Sequence, residues 1–141
     1  MKKLSLLLFV LLLAGHLSQA QKTIEKVKNA PLHAGESRTF KAAYKDLVKF
    51  SRQAMVDAGL EMESVEKVDE DTYMLIGRTR ASGWSWGELV RVVVLRNEDN
   101  PNKNIVRVYT KRRVGTNVTA KGSYTNTILS NIEAKIELGE Y

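Results

Sequence analysis

The chain has 141 residues, a formal net charge of +6 and no cysteine. The absence of cysteine excludes disulfide bonds, thiol catalysis and thiolate metal sites, so a hydrophobic core must hold the fold together. A moderate positive charge does not identify a partner by itself, because the placement of the charges decides what they can bind.

The first 20 residues have the pattern of a cleavable secretory signal. Two lysines precede an apolar run from Leu4 to Ala14, and the segment ends in Ser18-Gln19-Ala20. Small residues at the third-last and last positions fit signal peptidase, so we predict cleavage after Ala20 and a mature chain that begins at Gln21. A membrane anchor is the alternative, but the run has about half of the roughly 20 apolar residues that span a bilayer. We therefore expect an exported protein, periplasmic or secreted.

Cleavage changes the charge of the protein. The signal carries two of the 22 Lys and Arg residues and none of the 16 Asp and Glu residues, so the net charge falls from +6 to +4. Residues 21–35 are then predicted to be a flexible leader, because Pro31 and Gly35 interrupt any regular element. Residues 36–141 are predicted to form a single domain.

Helices and strands follow in a clear order. The first helix is predicted from Ala43 to Ala58, where apolar residues recur at three- and four-residue steps, and Gly59 follows as a left-handed C-cap. A final helix is predicted after Ser123, with an apolar stripe of Ile128, Leu129, Ile132 and Ile136. The predicted strands are Arg38–Lys41, Leu60–Lys67, Thr72–Ala81, Glu88–Arg96 and Asn104–Val114.

This order predicts the fold class. Four consecutive strands joined by short turns must pair as an antiparallel meander, since parallel neighbours need long crossovers. Each amphipathic helix must cover an apolar surface. We therefore predict a two-layer α+β domain, with an antiparallel sheet of four to five strands and two helices packed on one of its faces.

The alternation along the strands then predicts a cationic surface. If the valines at 90, 92, 94, 106 and 108 face the helices, basic side chains face the uncovered side of the sheet. Such a cluster is able to bind an anionic partner. The alternative is a solvated face whose long basic stems cover apolar neighbours. The residues of this predicted surface are Arg78, Arg80, Arg91, Arg107, Tyr109, Lys111 and Arg113.

A second candidate is the tryptophan pair in Ser82-Gly83-Trp84-Ser85-Trp86-Gly87. Side chains two residues apart point to the same side of an extended segment. On an exposed loop, Trp84 and Trp86 would form a stacking platform for a sugar, a base or a protein groove. Alternatively, they extend the core, because large aromatic side chains in small domains usually contribute packing energy.

No motif predicts catalysis, a cofactor or a metal site. His33 has no second histidine beside it in the mature chain, and the acidic run from Asp69 to Asp71 is typical of a turn. Asn117-Val118-Thr119 matches a glycosylation sequon, a short pattern that is frequent by chance. We therefore expect no enzyme and no cofactor; a hydrolase of envelope polymers would require a cleft with buried carboxylates.

One resemblance agrees with this outline. The features that carry it are Ala58-Gly59-Leu60, the strand Val90-Arg91-Val92-Val93-Val94, the strand Val106-Arg107-Val108 and the closing helix from Ile128 to Ile136. In their order, they resemble small exported bacterial domains of unknown function with a β-α-β4-α plan. They are also similar to the helix-grip modules of an outer-membrane assembly lipoprotein. The resemblance implies a binding or envelope-associated role, although the chain lacks the lipobox cysteine of the lipoproteins.

Two functional hypotheses remain open. The first is an exported, non-enzymatic binding module of the periplasm or cell surface for an anionic envelope component, such as an anionic lipid, a glycan or another envelope protein. Peripheral contact with a membrane is compatible with it, and nucleic acid is not an expected partner. The alternative is a structural or assembly subunit that pairs through its open sheet face or a sheet edge.

Overall fold

The computed structural model describes residues 21–80, 87–112 and 124–139. The chain divides into two units, Met1–Ala30 and Pro31–Tyr141. In the first unit, residues 21–28 form a helix, α1, although the sequence predicted a flexible leader there. The segment contains no glycine or proline and is rich in Lys, Glu and Gln, which are compatible with a helix. The residues that suggested an irregular leader stand later, at Pro31 and Gly35.

The second unit has an α+β fold built on a single antiparallel sheet, as predicted. Its elements are β1 (Glu36–Phe40), α2 (Tyr44–Asp57), β2 (Glu61–Lys67), β3 (Thr72–Arg78), β4 (Glu88–Leu95), β5 (Asn104–Arg112) and α3 (Tyr124–Glu137). The strand order in the sheet is β1-β5-β4-β3-β2. The predicted meander from β2 to β5 is therefore confirmed. Because β1 pairs with β5, β1 and β2 are the outer strands.

The valine-rich rows of the sheet face the helices, so the predicted phase of the alternation is correct. Val92 lies opposite Val108 on β5 and opposite Leu75 on β3, and all three side chains are buried. They pack in one cluster with Leu47 and Phe50 of α2 and with the apolar stripe of α3. Each side chain of this kind contributes roughly 1.5–3 kcal/mol when it is fully buried. Both helices therefore cover the same face of the sheet.

The two ends of α2 position it over this face. At its C-terminus, Gly59 has φ of +83°, as its predicted role as a C-cap requires. The Gly59 amide donates to the Val56 carbonyl, and the Leu60 amide donates to the Met55 carbonyl at 3.0 Å. This Schellman pattern satisfies the last carbonyls of the helix and turns the chain directly into β2. At the other end, the helix follows Ala43, which makes no side-chain capping hydrogen bond.

Asn104 fixes the loops that surround the start of α2. Its side chain is fully buried, and Nδ2 donates to the carbonyls of Ala42 and Pro101, both at 2.8 Å. Its Oδ1 accepts a hydrogen bond from the Asn97 amide at 2.9 Å. One side chain therefore joins the β4–β5 turn to the connection between β1 and α2.

Candidate functional site

The predicted cationic surface lies on the sheet face opposite the helices, which we call the second face. Register places Arg91 between Ile76 of β3 and Tyr109 of β5, and cross-strand partners share a face. Arg91 is nevertheless fully buried, as are Leu89 and Val93 on the same strand. The prediction that this face is uncovered is therefore wrong at its centre. Alternation assigns a side chain to a face, but it does not determine what covers that face.

The segment that enters β1 provides part of the environment of the central arginine. Arg91 Nη2 donates to the Pro31 carbonyl at 2.8 Å, and the guanidinium carbon lies 5.3 Å from the centre of the Tyr109 ring. Burial lowers the pKa of the Arg91 guanidinium, and the neighbouring Tyr109 opposes that shift. These contacts give Arg91 a structural role and place its charge out of reach of a ligand in solution.

The remaining cations of the second face are less buried. Arg107 is half-buried and its Nη1 donates to the Leu32 carbonyl at 3.2 Å, while Tyr109 and Lys111 are also half-buried. Arg107 is therefore held, like Arg91, by a backbone carbonyl of the segment before β1. Only part of its side chain remains exposed to a partner.

Arg78, the last residue of β3, and Arg80, two residues beyond it, are paired with acidic side chains of β2. Arg78 Nε lies 2.7 Å from Glu63 Oε1, and Arg80 Nε donates to Glu61 Oε1 at 2.6 Å. The hydrogen bond from Arg80 lowers the pKa of the Glu61 carboxyl. A ligand would have to compete with these carboxylates for both arginines.

The other predicted site residues, Arg113, Trp84 and Trp86, lie outside the described residues. Their roles stay predictions. Within the second face, the structure thus brings Arg91, Arg107, Tyr109 and Lys111 together, but it buries Arg91 fully and the other three partly.

A different surface combines exposed apolar groups with cations that have no acidic partner in residues 21–80, 87–112 and 124–139. We call it the α2 groove, a recess of about 500 Å³ between the outer side of α2 and strand β2. Its apolar part consists of Val56 and Val65, which are 53% and 42% exposed, and of Val48, which is partly buried against the core. The residues that line it are Lys45, Val48, Lys49, Arg52, Gln53, Val56, Asp57 and Val65.

The groove carries an excess of positive charge. Lys45, Lys49 and Arg52 follow one another at helical steps of four and three residues, so they form a stripe on one side of α2. Within the described residues, none of the three lies within ion-pair distance of a carboxylate. The acidic residue of the groove, Asp57, already pairs with Lys135 of α3 at 2.8 Å. Like charges at such spacing destabilise a helix by a few tenths of a kcal/mol, and a bound anion would remove that penalty.

Sequence reasoning missed this groove, although part of its signal was visible. The spacing of Lys45, Lys49 and Arg52 was readable as a basic stripe beside Val48 and Val56. The contribution of β2 was not readable, because the register between β2 and β3 shifts between Met62 and Ser64. A bulge of this kind reverses the alternation after it, so the side on which the Val65 side chain lies depends on the structure.

Two further observations concern metal sites and membrane spans. In residues 21–80, 87–112 and 124–139, no group of three or more His, Asp or Glu side chains could hold a metal ion. No helix in the same ranges is both long enough and apolar enough to cross a membrane.

A comparison with protein-family models finds no match, and no curated protein matches the sequence.

Proposed function

We propose that the protein is a non-enzymatic binding module of the cell envelope that holds an anionic, partly apolar ligand in the α2 groove. One observation carries the proposal: exposed valines line the same recess as three cations that have no acidic partner among the described residues. The cations attract a negatively charged ligand, and the valines supply an apolar surface that the ligand can bury.

The two components predict different effects. The electrostatic part weakens with salt, because the Debye length falls from about 30 Å at 0.01 M to about 8 Å at 0.15 M ionic strength. The apolar part is much less sensitive to salt, since it depends on the area removed from water. Binding should therefore be strongest for ligands that combine negative charge with an apolar portion.

The cell envelope enters the proposal through the N-terminal sequence. The apolar run and the Ser18-Gln19-Ala20 motif support export, with cleavage after Ala20. Mass spectrometry of the protein secreted or released from its native host tests this directly. A mature N-terminus at Gln21 is expected, and retention of residues 1–20 in the mature protein would contradict export.

A matched pair of charge reversals tests the site. Lys45→Glu/Lys49→Glu removes two groove cations, and Lys22→Glu/Lys26→Glu makes the same change in charge at the same helical spacing in α1. All four lysines are exposed. A basic side chain near an anionic surface contributes about 1 kcal/mol, so loss of two should weaken binding by about thirtyfold. The α1 variant should bind within about threefold of the wild type.

Two probes share the required chemistry: vesicles of phosphatidylglycerol, and an acidic peptide in which valine and glutamate take turns at every second position, with threonine between them. Phosphatidylcholine vesicles are the uncharged control. Binding is measured by isothermal titration calorimetry at low and physiological salt. The proposed function is contradicted if neither anionic probe binds, or if both charge-reversed variants bind them equally well.

The alternative hypothesis, a structural or assembly subunit, is favoured by one specific observation. Both outer strands of the sheet, β1 and β2, have no strand paired on their outer side within the described residues. The centre of the second face is buried, so such pairing would use an edge. Light scattering that reveals a stable dimer at micromolar concentration would support this function, and a strict monomer would count against self-pairing.

A further inference from the structure

Strand β2 forms one wall of the α2 groove and is also an open edge of the sheet. Its inner side pairs with β3, and its outer side has no strand partner within the described residues. After the shift between Met62 and Ser64, four residues run in continuous register, from Ser64 opposite Ile76 to Lys67 opposite Tyr73. The amide and carbonyl groups on an edge of this kind form a template for a further strand.

Register also determines which β2 side chains face the groove. Val65 lies opposite Leu75, and Leu75 is a core residue beneath the helices. Lys67 lies opposite Tyr73, which is also packed against that core. Val65 and Lys67 therefore share the helix side of the sheet, where α2 carries Arg52. Ser64 and Glu66 belong to the second face.

From this arrangement, we infer that the occupant of the α2 groove is an extended acidic peptide segment of another protein, which pairs with the outer edge of β2 as a sixth strand. This inference rests on the proposed function, because it identifies the ligand of the same groove. Strand addition would satisfy the backbone groups of β2, and alternate side chains of the peptide would enter the groove.

The two sides of the added strand meet different charges. Side chains on the helix side meet Val65, Lys67 and the basic stripe of α2, so valine and glutamate are favoured there. Side chains on the opposite side meet Ser64 and Glu66, away from the basic stripe, so nothing there favours glutamate over the uncharged threonine. The groove therefore favours a peptide whose glutamates all lie on the helix side of the added strand. Another peptide with the same total charge but with glutamates on both sides should bind less well.

A lipid headgroup shares the negative charge but does not use these features. Its phosphate would neutralise the cations of α2, but it offers no row of alternating donors and acceptors for the edge of β2. Val65 of the open edge strand lines the same recess as the basic stripe of α2. These observations favour a peptide strand over a membrane surface.

Backbone methylation tests the strand directly. The probe is a ten-residue peptide with threonine at every odd position. Its even positions alternate between valine and glutamate. When the peptide is added as a strand, the backbone amides of every second residue point toward β2, and those of the residues between them point away. Methylation of the set that points toward β2 should weaken binding at least about tenfold, since every direct backbone donor is lost. Methylation of the other set should change binding less than about threefold.

Two exposed valines of the protein provide the matched substitutions. Val65→Glu places a negative charge in the groove, whereas Val68→Glu places it three residues away on an equally open part of the chain; Val65 is 42% exposed and Val68 is 50% exposed. Val65→Glu should weaken binding of the unmethylated peptide at least about tenfold, and Val68→Glu less than about threefold. Calorimetry measures all the affinities, and circular dichroism verifies that each variant is folded.

The outcomes separate the two proposals. If both methylated peptides bind as well as the parent, the peptide does not add to the sheet and the inference is wrong. If the peptide fails but phosphatidylglycerol vesicles bind in a manner that depends on Lys45 and Lys49, the inference is wrong and the proposed function stands. If neither probe binds, both are wrong. Selective loss with one methylated set and with Val65→Glu supports both.

Discussion

Substitution of Gly35 by alanine probes how closely the segment before β1 approaches β5. Gly35 has φ of +100°, a conformation that side chains disfavour. A Cβ atom built there would lie 2.2 Å from the Val108 carbonyl oxygen and 3.0 Å from the Tyr109 Cα. Both contacts are with backbone, and Val108 lies in β5 between β1 and β4. The overlap can therefore be relieved only if β5 shifts against β1 or against β4, and backbone hydrogen bonds hold both pairs of strands together.

The expected magnitude has two parts. A left-handed conformation costs an alanine about 1–2 kcal/mol, and overpacking against a rigid neighbour costs about 1–3 kcal/mol more. Gly35→Ala should therefore lower the free energy of unfolding by about 2–5 kcal/mol. Gly59→Ala is the control, because Gly59 has φ of +83° and nothing within 4 Å of its built Cβ. It should lose only about 1–2 kcal/mol, the conformational part.

Urea denaturation followed by circular dichroism measures both variants, with the free energy of unfolding extrapolated linearly to water. The prediction is that Gly35→Ala is the more destabilised of the two by at least about 1 kcal/mol. An equal or smaller loss for Gly35→Ala would refute the close approach of residue 35 to β5. The hydrogen bonds that the neighbouring Pro31 and Leu32 carbonyls accept from Arg91 and Arg107 would then also be in doubt.

Three further substitutions test buried polar groups, each through denaturation measurements. Arg91→Ala should lower the free energy of unfolding by about 3 kcal/mol because it leaves a cavity. Arg91→Met refills much of that space and loses only the polar contacts of the guanidinium, so it should cost less. A larger loss with Met than with Ala would contradict this. Asn104→Ala removes three hydrogen bonds to backbone groups and should cost about 3 kcal/mol, and a loss below about 1 kcal/mol would show that these bonds are not needed. Burial raises the pKa of Tyr44 to about 12, so the folded state retains a proton that an unfolded tyrosine loses near pH 10. The stability that Tyr44 contributes is therefore complete below about pH 10 and falls between about pH 10 and 12. Tyr44→Phe should make that fall shallower, and an identical profile in the variant would contradict the assignment.

Much of the fold followed from local patterns. The apolar stripe of α2, its glycine C-cap at Gly59 and the continuous valines of β4 each specify an element without reference to the rest of the chain. Short polar turns then allow only antiparallel pairing between successive strands. The position of β1 beside β5 was not predictable in this way, because that pairing joins residues that are distant in sequence, such as Glu36 and Val108.

The candidate site was much harder to predict, for a physical reason. Alternation correctly placed Arg91 on the side of the sheet away from the helices. It did not reveal that the Pro31 carbonyl lies within 2.8 Å of the guanidinium, because that contact links an irregular segment to a strand. In the same way, the α2 groove is formed by a helix and an edge strand, and no local pattern shows that these two elements lie side by side. The shift in register before Ser64 also hid on which face of the sheet the Val65 side chain lies.

Amide chemical-shift mapping with the acidic valine–glutamate peptide tests the central claim most directly, since it reports every contact surface in one titration. We expect the largest shifts on α2 between Lys45 and Val56 and on β2 between Ser64 and Lys67, and we expect these shifts to shrink as salt is raised. Shifts that fall instead on the second face, around Arg107 and Lys111, while α2 and β2 stay unchanged, would contradict the α2 groove as the binding site.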